Sequence, residues 1–145
     1  MDELNLLFRH LKQPEYVHVL LNPLPVYGTA MGIIALVGGW LSGQKRAQLV
    51  GLIVVFVGCV SAWPVVEYGQ QGYDRVYAMS DHDAQQWLDL HMERAEHFVY
   101  VFYATALGAL AAMAALWKFP TAVKPLRTIT LLGALASERV GGWIG

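Results

Sequence analysis

Charged side chains are scarce in this sequence. They make up 14% of its 145 residues, against about 25% in an ordinary soluble domain. Hydrophobic residues make up 56%, too many for the polar remainder to cover the surface of a soluble fold of this size. Cysteine occurs once, at Cys59, which excludes an intrachain disulfide. That thiol lies inside an apolar run and reads as a small inert hydrophobe. There is no Cys-x-x-Cys-His pair for covalent haem attachment, no glycine-rich phosphate loop, no Gly-x-Ser-x-Gly and no His-Glu-x-x-His. Nucleotide, serine-hydrolase and zinc-protease chemistry therefore have no recognisable anchor. An enzyme is not expected, nor a nucleic-acid partner. Met1, Asp2 and Glu3 open the chain without a basic region ahead of an apolar stretch, so no signal peptide is expected.

Long apolar runs are what the sequence does have. Four stretches, about 16–41, 49–66, 98–117 and 126–145, have the length and composition of membrane spans. The expected fold is all-α: one integral membrane domain over 1–145, an antiparallel bundle of four transmembrane helices. Leu4, Leu7, Phe8 and Leu11 share one helical face ahead of the first span, which predicts a short interfacial helix. Pro14 ends it. Pro23 and Pro25 interrupt the first span near its start. Gly28 and Gly32, and again Gly39 and Gly43, follow a four-residue spacing that allows close helix contact. Residues 67–80, with Gly69, Gly72 and three tyrosines, read as a loop. Ser80 and Asp83 resemble a capping box. No Gly or Pro interrupts 81–107, and the spacing predicts one long third helix from Asp81 to Trp117 whose first half projects into water.

The few charges are segregated. The turn after the first span holds Lys45 and Arg46; the turn after the third holds Lys118, Lys124 and Arg127. All eleven acids lie elsewhere. The basic turns sum to +5 and the remainder, eleven acids against five bases, to −6. The positive-inside rule then puts the basic turns in the cytoplasm and both termini outside, in a bacterial inner membrane. The lipid bilayer is the first expected partner. Further membrane subunits or a second copy are the next, through the small-residue faces and the acidic 81–97 extension.

Chemistry has few places to reside. Of the five histidines, His18 falls at the outer end of the first span and His97 where the third enters the bilayer. At similar depth on different helices, the two are expected to hold haem b, or a metal ion with Glu93 as a further ligand. His91, six residues before His97, lies about 120° away around the helix and is not expected to share that centre. Gly28 and Ala104 are the expected room for a porphyrin. Glu67, Glu138 and Arg139 are the polar residues placed in or near the membrane, where charge needs a partner or a cavity. The rival expectation is a cofactor-free accessory or structural subunit of a larger membrane complex.

Tyr16-Val17-His18, followed by an apolar stretch to Asn22-Pro23, then Glu96-His97-Phe98, and finally Gly141-Gly142-Trp143, together resemble an uncharacterised family of bacterial four-helix membrane proteins. Its members more often carry His-Pro ahead of Val-His, where this chain has Gln13-Pro14. The resemblance implies an association with redox modules and electron transfer.

Overall fold

The computed structural model describes residues 2–118 and 123–144. The described elements are helices: α1 (Asp2–His10), α2 (Pro14–Leu21), α3 (Pro23–Leu41), α4 (Lys45–Val60), α5 (Ala62–Met79), α6 (His82–Lys118) and α7 (Val123–Ile144). Proline sets two of the divisions. Pro23 and Pro25 cannot donate to carbonyls four residues earlier, and the chain breaks at Asn22 between α2 and α3. Pro64 does the same beyond Ser61, between α4 and α5. Gly43 has φ +66° in the turn from α3 to α4, a conformation that costs glycine least.

Three stretches are long and apolar enough to cross a membrane: Pro14–Leu41, Lys45–Met79 and His82–Lys118. Their outward faces carry large exposed apolar side chains, among them Met31, Ile34, Ile53, Val57, Leu107 and Leu110, a surface compatible with lipid. The expected fourth span, α7, carries Lys124, Arg127, Glu138 and Arg139 and is not among the three. It packs along α6 and also against α3. The short helix expected ahead of the first span is present as α1, with Leu4 and Phe8 exposed on it and Leu11 exposed just beyond its end.

Two expectations need correction. Residues 67–79 are not a loop but the continuation of α5. Their glycines are packing sites: a Cβ at Gly69 would lie 2.9 Å from His18 Nδ1, and one at Gly72 would lie 3.0 Å from the Glu15 backbone nitrogen. Contact with α2 thus offsets the helix cost of two glycines, about 1 kcal/mol each. The cap of α6 is Asp81 rather than Ser80, since Asp81 Oδ1 accepts from the Ala84 amide at 2.9 Å. The expected unbroken third helix is there as α6, 37 residues, roughly 55 Å at 1.5 Å per residue. The α4–α5 stretch of 35 residues is nearly as long, so both exceed a hydrocarbon core of about 30 Å.

Backbone proximity holds α3 to α4. A Cβ at Gly32 would lie 2.6 Å from Val55 N, at Gly39 2.6 Å from Gln48 N, and at Gly51 2.4 Å from Leu36 N. Helices this close gain dispersion contacts along their whole length. The buried stripe of α6 is Val99, Phe102, Ala106, Ala109, Ala112 and Ala115. Its small side chains let α4 and α7 approach. Thr105, Thr130 and Ser137 are buried beside them, each donating to a carbonyl four residues earlier in its own helix.

Candidate functional site: a two-histidine cavity

The two proline interruptions open a space at the acidic end of the bundle. Asn22, Pro25 and Val26 border it from the first, and Ala62, Val65 and Val66 from the second. One face of α6 and Gly141 of α7 complete a cavity of about 260 Å3, open on one side. Its wall is apolar apart from a few groups, chief among them Glu15, His18 and His91.

His18 is half-buried on α2, one turn before the break. Its ring lies on Gly69, where no side chain intervenes. Nδ1 is 2.7 Å from the Val65 carbonyl oxygen. A carbonyl only accepts, so Nδ1 carries the hydrogen and, in the neutral ring, Nε2 keeps its lone pair. A carbonyl that fixes tautomer and ring angle is the usual outer support of a ligating histidine. The His91 ring stands edge-on to it, at 89° with centroids 6.2 Å apart.

Glu15 lies one turn before His18. Its Oε1 is 2.9 Å from Arg75 Nη1. Oε2 is buried without a hydrogen-bond partner among the described residues. Farther out, the Tyr73 hydroxyl donates to Asp89. That contact crosses from α5 to α6. Together with the bond from Gln70 to Glu96, 2.8 Å, it ties α5 to α6 above the cavity.

The structure does not bring His18 and His97 together. His97 is exposed and takes no part in the cavity wall. Leu88, His91, Met92, Ala95, Val99 and Phe102 line the cavity from one face of α6, and His97 falls outside that face. Glu93 is likewise exposed. The room expected at Gly28 is taken by α4, because a Cβ there would lie 3.1 Å from Gly58 Cα, and Ala104 is exposed. Glu67 is exposed and accepts from Gln71, apart from Glu138. Glu138 is half-buried with Oε1 unpartnered among the described residues, and Arg139 is exposed.

His91 is the residue that pairwise spacing missed. The roughly 120° between His91 and His97 around the helix puts His91, not His97, on the cavity wall. The signal was present: the buried apolar stripe of the span, extended outward at three- and four-residue steps, passes through His91 and not through His97.

No protein-family model, no curated protein and no solved structure matches this chain.

Proposed function

We propose that this protein is an electron-transfer module of the bacterial cytoplasmic membrane, an antiparallel bundle of four transmembrane helices that binds haem b between His18 and His91. The observation that carries the reading is the pair of imidazoles in an apolar cavity, one of them locked by a backbone carbonyl. His18 and His91, whose ring centres stand 6.2 Å apart, would be the two residues that hold the iron. Two protein ligands suffice for haem, because the porphyrin supplies the other four. A bare ion asks for three or four, and no such group of His, Cys, Asp or Glu converges among the described residues. A porphyrin is larger than the cavity, so its edge would occupy the open side. Bound there, haem would carry one electron. The chain's part is to orient His18 through Val65, exclude water with Val26, Val66 and Phe102, and set a carboxylate, Glu15, nearby.

The test is the visible spectrum of the purified full chain reconstituted with haem. A Soret band is expected. It should be lost in His18→Ala and in His91→Ala, and kept in His97→Ala and His82→Ala. A folded protein with no band, or a band lost with His97 and kept without His91, overturns the reading. The first outcome would favour a cofactor-free accessory subunit.

The same reading sets the topology. Lys45, Arg46, Lys118, Lys124 and Arg127 lie at one end and the cavity at the other, so the cavity and both termini face outward. Cys59 is buried and Gln71 is exposed, so Gln71→Cys provides a single accessible thiol. It should react with an impermeant maleimide in spheroplasts. Reaction only after the membrane is opened would reverse the assignment.

A further inference from the structure

The basic end carries a second concavity, of about 370 Å3, between α3 and α7. Leu36, Val37 and Leu131 make its apolar wall, and Trp40, Lys124 and Arg127 its polar edge. Arg127 is half-buried. Its Nη1 donates to Gln48 Oε1, and its guanidinium lies over the Trp40 ring at 5.6 Å. Nε is shielded from water and has no hydrogen-bond partner among the described residues.

Gln48 and Trp40 orient this cation but do not neutralise it. No described acid is paired with it, and Glu15 pairs with Arg75 instead. The only acid on the same helix, Glu138, is eleven residues away, roughly 17 Å along the axis. Lys124 adds a second positive charge to the same edge, and the positive end of the α7 dipole lies beside it. A guanidinium stays protonated at any physiological pH, and a charge held partly out of water without a counter-charge is costly. An anion from outside the chain would supply the missing counter-charge. The apolar wall directly below the cations favours an anion with hydrocarbon attached.

We infer that this groove binds an anionic phospholipid of the leaflet at the basic end. The phosphate lies between Lys124 and Arg127, and an acyl chain runs along Leu36, Val37 and Leu131. The guanidinium fork matches phosphate oxygens, and basic pockets between helices at this depth are suited to lipid headgroups. The inference rests on the chain's membrane placement, not on the haem cavity, and its test needs no cofactor.

Native mass spectrometry of the detergent-purified full chain, titrated with phosphatidylglycerol or phosphatidylcholine, reads the site directly. Wild type should retain one phosphatidylglycerol in preference to phosphatidylcholine. Lys124→Gln should reduce that preference about fivefold, the contribution of one interfacial basic residue, and Arg127→Gln at least as much. Lys118→Gln lies at the same end outside the groove and should leave it unchanged. If Arg127→Gln does not fold, the exposed Lys124 carries the comparison alone. Equal retention of the two lipids, or an equal loss with Lys118→Gln, would sink the proposal. Displacement of the lipid by millimolar inorganic phosphate would overturn it in favour of a free-anion site.

Discussion

Gly51→Val should destabilise the bundle by about 3 kcal/mol, the upper end of the cost of overpacking a core. A Cβ at this position would lie 2.4 Å from the Leu36 backbone nitrogen and 2.6 Å from its Cα. Those atoms belong to a helix backbone and cannot rotate aside, as a side chain could. Leu36 is itself 2% exposed and sits in the core with Leu52 and Val55. Relief requires α3 and α4 to separate, which also loosens the contacts at Gly32, Gly39 and Gly58. The control is Gly38→Ala. Nothing lies within 4 Å of the Cβ it would add, and alanine in a helix gains up to about 1 kcal/mol over glycine. Thermal unfolding in detergent, followed by circular dichroism, should move the two variants in opposite directions. Similar curves would mean that the α3–α4 approach is not what holds the bundle.

Gly69→Ala should separate the binding site from the fold. The added Cβ would meet His18 at Nδ1, 2.9 Å, and at Cε1, 3.0 Å. Here the obstacle is a side chain, so the imidazole swings away and the helices stay in place. The cost falls on the bond to the Val65 carbonyl, 2.7 Å, which fixes the ring. Losing one such bond is worth about 1 kcal/mol, and a ring aimed away from the ligand adds to it. On the proposed haem reading, affinity for haem should fall about tenfold or more, while helix content and melting temperature stay close to wild type. Haem titration followed at the Soret band measures the first and circular dichroism the second. Unchanged affinity would show that His18 needs no support from α5. A falling melting temperature with intact affinity would make Gly69 a packing residue only.

These two glycines show where reading the chain alone reaches its limit. The four-residue spacing of Gly28 and Gly32 signals a close helix contact, and Gly28, Gly32 and Gly39 do meet α4. Spacing does not name the neighbour, because that depends on how the helices pair. Gly69 and Gly72 look like loop residues in isolation, since glycine disfavours helix and local sequence offers nothing to offset it. The offset is α2, more than fifty residues earlier, packed into the space they leave.

What the chain determined by itself was what depends on local composition: long apolar helices, an interruption where Pro23 denies a backbone donor, one unbroken α6, and two basic turns without an acid. Solvation and backbone chemistry act residue by residue, so these features are legible without a fold. The partner of His18 was decided only in three dimensions. Ala106, Ala109 and Ala112 turn one side of α6 inward against the bundle. Because α6 is a single rigid helix, that rotation carries outward to its first turns, aims His91 into the cavity and leaves His97 outside it.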